Sequence, residues 1–383
     1  MSLLLKNCHL ISPDQNFMES SILIEDGIIR RIFAAGDALP PADRVLDVKG
    51  AMTMPGFIDV HCHGKSGLDF CDASDEAIET IGVDKLKEGV TSYLPTTLTL
   101  PEDLLVRALQ TAANYSAKGI KGCKLPGVHL EGPFINPKCL GAQNPDYVRE
   151  PDIAMVRRLA KIYPVKKVSY AVEMPRGAEF AAELTAEGIQ PSCAHSAAKY
   201  SEFMAAYRHG LHALTHFCNQ MTPLHHRDIG LVGAGLLHQD VYIEMICDKL
   251  HLCPDMIELV FSEKDIDHIL LITDAMRAAG MPDGESSLGG LPVIVKDGAA
   301  RLASNGALAG STLQICDALR NVYEITGLPL ERLIRTTSLN QARSLGLEKL
   351  GRLEPGSCAD IVILNNRFKV EKTFVNGELR YEA

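Results

Sequence analysis

Phe57-Ile58-Asp59-Val60-His61-Cys62-His63, entered through Pro55-Gly56, is a short apolar run that ends in two histidines one residue apart. Side chains at i and i+2 of a strand share a face, so His61 and His63 point the same way and Cys62 points away. The same grammar recurs along the chain. Gly127-Val128-His129-Leu130-Glu131 ends in a carboxylate, Ser192-Cys193-Ala194-His195 and Ala213-Leu214-Thr215-His216 end in imidazoles, and Ile269-Leu270-Leu271-Ile272-Thr273-Asp274 ends in a lone carboxylate. Metal ligands and a base at the C-terminal ends of parallel strands converge on one mouth, so this distribution reads as a metal-dependent hydrolase.

Eight strand-like runs, at 57 to 63, 92 to 97, 125 to 131, 168 to 173, 191 to 195, 212 to 217, 242 to 247 and 269 to 274, alternate with helical stretches. Eight βα units predict an α/β chain built as a (β/α)8 TIM-like barrel over residues 54–350. Residues 1–53 are short and β-rich, with the turn Glu25-Asp26-Gly27, and residues 351–383 repeat that texture around Asn376-Gly377. Like textures at the two ends predict a small discontinuous β-sandwich domain built from both termini. The stretch from 276 to 312, rich in Gly, Ser and Asp, reads as a long structureless loop and therefore as a functional lid.

Composition narrows the partners. A formal charge of −10 argues against nucleic acid and anionic membrane, both of which attract basic surfaces. The 11 cysteines are scattered and never spaced Cys-x-x-Cys, which indicates neither a disulfide framework nor a thiolate zinc site. The opening residues lack a basic flank followed by a long apolar core, and no run of eighteen apolar residues occurs. A cytoplasmic protein is the expectation.

Among the strand-end residues, Glu131, His195 and His216 make one carboxylate and two imidazoles, which leaves a fourth tetrahedral position for water. Asp274 is then placed to take a proton from metal-activated water and return one to a leaving group, with helix N-capping as its competing role. His129 lies one pleat deeper than Glu131 and reads as a hydrogen-bonded core histidine. Glu173 is open between orienting a ligand and forming a structural ion pair.

These residues resemble the amidohydrolase superfamily and, within it, the N-acetylglucosamine-6-phosphate deacetylase family. The resemblance rests on Pro55 to Gly64, on His129-Leu130-Glu131-Gly132-Pro133-Phe134, on Thr215-His216-Phe217-Cys218-Asn219-Gln220-Met221, on Leu308-Ala309-Gly310-Ser311-Thr312 and on the segment from Gly351 to Gly377. It implies hydrolysis of the N-acetyl group of N-acetylglucosamine 6-phosphate to acetate and the free amine, with Asp274 as general acid/base. Glu131, His195 and His216 match the principal metal ligands, while His61 and His63 match positions that help hold a second ion. One tight divalent site is implied, with room for a second and weaker one; Zn²⁺ is the expected ion and Fe²⁺ or Mn²⁺ the alternatives. Arg227 and His251 match phosphate contacts, one of them typically supplied by a neighbouring subunit, so a homodimer is implied. Ala142, Asn219, Gln220, Leu308, Ala309 and Gly310 lie where the family contacts the sugar.

Two departures bear on substrate choice. Gln143 stands where the family usually has a histidine that orients the acetyl oxygen, and Lys249 stands where it often has glycine. Glutamine donates a hydrogen bond but cannot carry charge. The competing readings are the same deacetylation on another N-acyl amino-sugar phosphate or related N-acyl compound, a cyclic-amide hydrolase using a carboxylated lysine, and a non-catalytic member of the superfamily.

Overall fold

The computed structural model describes residues 2–383. The apolar run that ends in His61 and His63 forms the strand Phe57–Cys62, which lies parallel to Val90–Pro95. Six further strands form one parallel sheet in chain order: Val128–Glu131, Val165–Tyr170, Gln190–Cys193, Ala213–Leu214, Tyr242–Met245 and Ile269–Leu271. Parallel bridges tie the pair to both ends of that sheet, Thr96 to His129 on one side and Cys62 to Ala275 on the other. Each of the eight strands is followed by a helix, from Asp75–Leu86 after the first to Ile315–Thr326 after the last. Parallel strands need such crossovers, and the helices cover the sheet. Glu102–Lys118 illustrates the packing: Leu105, Ala108, Leu109, Ala112 and Tyr115 repeat every three or four residues and are the positions it buries.

All eight expected strands occur, but several are shorter than the apolar runs suggest. The strands end at Cys193, Leu214 and Leu271, before His195, His216 and Asp274. Those three residues have φ of 46°, 35° and 50°, so the chain has left extended geometry there. Left-handed backbone at a non-glycine residue costs on the order of 1–3 kcal/mol and is retained where the surroundings over-determine it.

Both termini enter one eight-stranded sheet. Its order runs Glu378–Glu382, Val370–Val375, Ile361–Leu364, Met52–Pro55, Ser2–Ser12, Gln15–Glu25 and Ile28–Phe33, with Arg44–Asp47 also paired to Ser2–Ser12. The sheet is mixed: Ser2–Ser12 pairs parallel with Met52–Pro55 and antiparallel with Gln15–Glu25. It has its own apolar cluster, which includes Leu5, Leu10, Ile22, Ile361 and Phe374. The chain leaves it at Gly56, where a Cβ would lie 2.3 Å from the Thr91 side chain, so only glycine lets the first parallel strand start this close to the second.

The segment 276–312 differs from the structureless loop expected. It contains a three-stranded antiparallel sheet, Gly284–Leu288, Leu291–Lys296 and Ala299–Leu302. Val293 and Val295 are buried while Ile294 between them is exposed, the alternation of a half-buried strand. Gly289-Gly290 and Asp297-Gly298 make its two tight turns, all four residues having positive φ. Among the described residues no helix is long and apolar enough to cross a membrane.

Candidate metal centre

Glu131 is the last residue of its strand. Gly132 follows with φ of 72°, and a Cβ there would lie 2.2 Å from Thr99 Oγ1. One oxygen of Glu131 meets His216 Nε2 at 3.0 Å and His195 Nε2 at 3.4 Å, and the two imidazole nitrogens are 3.1 Å apart. His195 Nδ1 lies 2.8 Å from the carbonyl of Cys139 and His216 Nδ1 lies 3.1 Å from that of Asn219. A carbonyl only accepts, so each ring carries its proton on Nδ1 and presents a bare lone pair on Nε2. Three acceptors thus face one another with no donor between them. That arrangement is repulsive unless a cation sits among them. Ligand bonds of about 2.0–2.2 Å at a tetrahedral centre separate the donors by about 3.3–3.6 Å, a few tenths of an ångström from the spacing observed. The residues fit a divalent ion.

A second set adjoins the first. His61 and His63 Nε2 are 3.3 Å apart and lie 3.4 and 3.2 Å from Asp274 Oδ1. They also approach Glu131, His61 at 3.4 Å from one carboxylate oxygen and His63 at 3.2 Å from the other. Glu131 therefore borders both sets. Asp274 is held through the backbone: its N–H donates to His61 O at 2.9 Å and its carbonyl accepts from Ser311 N at 2.7 Å. One residue earlier, the Thr273 hydroxyl donates to Asp59 at 2.5 Å, and Asp59 is paired with buried Lys85 at 2.6 Å. Asp274 caps no described helix, so the N-cap alternative has no counterpart.

Burial acts against charge throughout this cluster, and neighbours reverse it. Burial pulls His61 down, but Asp274 and Glu131 outweigh it and hold the imidazole at about 9 in the metal-free protein. Burial pushes Asp274 up, and His61 and His63 bring it below the ordinary aspartate range. Glu131 is likewise raised by burial and carried well below its usual value, first of all by the charge on His61. His129, buried beside Lys167, is driven well below its ordinary value by desolvation. It bonds Ser169 Oγ at 2.7 Å and stays a core histidine, as its depth suggests.

A cavity of about 350 Å³ opens over the centre. Its wall includes His63, Glu131, Ala142, Gln143, His195, His216, Asn219, Gln220, His251, Asp274, Leu308 and Gly310. His61 lies beneath the wall, fully buried, and Ala309 is buried behind it with its N–H on Ala300 O. Arg227 is exposed and does not line the cavity, with its guanidinium 2.9 Å from His226 Nε2. His251 is anchored by Asp248 at 2.7 Å.

The two sequence departures find different partners, Gln143 on the cavity wall and Lys249 outside it. Gln143 donates from Nε2 to Glu131 at 2.6 Å and accepts at Oε1 from Thr99 N at 2.7 Å, so its amide steadies a carboxylate of the metal centre. Lys249 turns its ammonium to Glu324 at 3.4 Å and does not line the cavity. Glu173 accepts from Asn136, Ser196 and Ala197 N at 2.5–2.7 Å, which buttresses the turn after His195. Leu288, Arg301 and Ala307, from the small inserted sheet and its exit, line the cavity and went unmarked in the sequence. The hairpin signals Gly289-Gly290 and Asp297-Gly298 could have found the sheet, but nothing local says which of its side chains faces the site.

Imidazoles and carboxylates gathered at the strand ends of a parallel α/β sheet define a metal-dependent hydrolase. The amidohydrolase family model matches residues 52–380, and the chain belongs to that family. It is 36% identical to an N-acetylglucosamine-6-phosphate deacetylase of Lysinibacillus sphaericus over 100% of this chain and 99% of that one. It is 35% identical to an N-acetylgalactosamine-6-phosphate deacetylase of Escherichia coli O157:H7, covering 99% of each. Among solved structures, a mutant N-acetyl-D-glucosamine-6-phosphate deacetylase from Mycobacterium smegmatis in complex with N-acetyl-D-glucosamine-6-phosphate superposes with a TM-score of 0.92 at 29% identity, covering 99% of each chain.

Proposed function

We propose that this protein hydrolyses the N-acetyl group of N-acetylglucosamine 6-phosphate, releasing acetate and glucosamine 6-phosphate. The observation that carries the reading is the donor-free convergence of Glu131, His195 and His216 beside Asp274, in a chain whose full-length relatives are amino-sugar-phosphate deacetylases. What a divalent ion supplies at such a site is Lewis acidity towards an amide carbonyl and towards an attacking water. Asp274 accepts the water's proton at its carboxylate and delivers it to the departing nitrogen, which otherwise leaves poorly. Gln143 keeps Glu131 oriented. Ala142, Asn219, Gln220 and Leu308 to Gly310 form the sugar subsite.

The phosphate is assigned to His251, with Arg227 supplied across a homodimer interface and Arg301 a further cation on the cavity wall. Zn²⁺ is the proposed ion, with Fe²⁺ or Mn²⁺ as alternatives. The architecture is proposed as a closed (β/α)8 barrel over residues 54–350, with a β-sandwich domain from 1–53 and 351–383, in a cytoplasmic enzyme. The two bridges that link the parallel pair to the six-stranded sheet support closure.

A second reading, the same reaction on N-acetylgalactosamine 6-phosphate, is favoured by the near-equal identity to a relative of that name. Acetate release by metal-loaded protein, compared across the 6-phosphates of N-acetylglucosamine, N-acetylgalactosamine and N-acetylmannosamine and on unphosphorylated N-acetylglucosamine, separates the two. Highest kcat/KM on the gluco compound is the expected result. Preference for the galacto compound selects the second reading, and no release from any of them by loaded protein rejects both.

A further inference from the structure

Four imidazoles turn Nε2 into the centre, and each is steered by what its Nδ1 touches. Three meet a neutral backbone carbonyl: His63 that of Thr96 at 3.3 Å, His195 that of Cys139 and His216 that of Asn219. His61 alone meets a carboxylate, Glu244 Oε2, at 3.3 Å. The other oxygen of Glu244 is paired with the ammonium of Lys167, and both side chains are buried at 1% exposure. Neither lines the cavity. Lys167 sits in Val165–Tyr170 and Glu244 in Tyr242–Met245, three places apart in the sheet order, so the pair spans the interior beneath the site.

Desolvating two such charges costs about what their attraction returns, so a buried pair is weak evidence of a stabilising role. What this pair does supply is an anionic acceptor at one imidazole, with Lys167 balancing its charge. A carboxylate on the far nitrogen of a ligand histidine sets the tautomer, holds the ring and makes the near nitrogen a better donor to a cation.

We propose that Lys167 and Glu244 are positioning residues for a second divalent cation, held by His61, His63 and Asp274 beside the ion of Glu131, His195 and His216. The pair keeps the His61 Nε2 lone pair aimed at the space it shares with His63 and Asp274. His63, steered only by a carbonyl, follows the pattern of the other centre. The inference rests on the metal-dependent reading above and adds to it which buried groups decide whether the second ion stays.

The test uses metal alone. Full-length wild type, Glu244→Gln and the charge-balanced Lys167→Met/Glu244→Gln are stripped, titrated with Co²⁺ while its absorption bands are followed, and assayed for Zn²⁺ per chain after dialysis. The expected result is a second ion in the wild type whose affinity falls roughly 10–100-fold in both variants, the usual cost of losing an outer hydrogen-bonding partner. The first ion, and the unfolding temperature of the metal-free double variant, stay at the wild-type values. A second ion bound by the variants as tightly as by the wild type overturns the proposal, and so does a wild type that takes only one. Joint loss of both ions with a lowered unfolding temperature also overturns it, because the pair is then structural. Protein that binds ions as expected yet cleaves no N-acetyl sugar phosphate would reject the proposed reaction and leave this inference standing.

Discussion

The two donor sets of the centre share Glu131 and differ in nearly everything around it. Around Glu131, His195 and His216, the imidazoles are oriented by the carbonyls of Cys139 and Asn219 and the carboxylate by the Gln143 amide. All of those partners are neutral and fixed. Around His61, His63 and Asp274 the support is mixed: His63 meets the Thr96 carbonyl, but His61 meets Glu244 with Lys167 behind it, and Asp59 with Lys85 lies behind Thr273. Neutral partners suit a set that only has to hold a cation. Charged groups nearby suit the proton-transfer role proposed for Asp274, because a neighbouring charge shifts proton affinity.

That contrast breaks first at the shared residue. Glu131→Ala is expected to strip both sets and abolish turnover, lowering ion affinity by more than the roughly 10–100-fold that an outer partner is worth; elemental analysis of dialysed protein reads the loss. Asp274→Asn comes next, with kcat lower by about 10²–10⁴ while the ion at Glu131, His195 and His216 is retained. Near-wild-type turnover would remove Asp274 from proton transfer. Gln143→Ala is expected to weaken the first ion by roughly 10–100-fold, since Glu131 and Thr99 N both lose a partner. Unchanged affinity would mean that the Gln143 amide does not support the ion and leave it only its place on the cavity wall.

The smallest effect sharpens the contrast by pH. In metal-free protein His61 is raised from 6.5 to about 9, so its contribution to stability is complete below the lower value and lost as pH rises through the higher one. In thermal unfolding, stripped protein should therefore lose stability as pH rises between these limits, with His63, held well above its ordinary value by the same carboxylates, contributing in the same direction. Ion-loaded protein, whose imidazoles are already neutral ligands, should lack that loss. Equal slopes for the two forms would mean that the His61 proton is not what the carboxylates hold.

Much of this centre is legible in the order of residues along the chain. His61 and His63 announce a shared face by their spacing, and His195, His216 and Asp274 each end an apolar run. Gly132 and Pro133 mark where the strand carrying Glu131 must stop. The alternation of runs and helical stretches likewise predicts parallel strands, and the matching texture of the two termini predicts that they meet. All of these are local signals, set by the period of the strand and the φ that each residue tolerates.

What the sequence determined by itself, then, is which residues stand at strand ends and in what order. Tertiary structure decided everything that depends on which strand lies beside which. It ended the strands before His195, His216 and Asp274 by turning those residues to positive φ. It folded 284–302 into a sheet that brings Arg301 and Leu288 to the cavity. It sent Lys249 to Glu324 and Gln143 to Glu131, and buried Lys167 against Glu244, 77 residues away along the chain. A side chain's partner across a sheet is set by packing and desolvation over such separations, and no window of neighbouring residues carries that information.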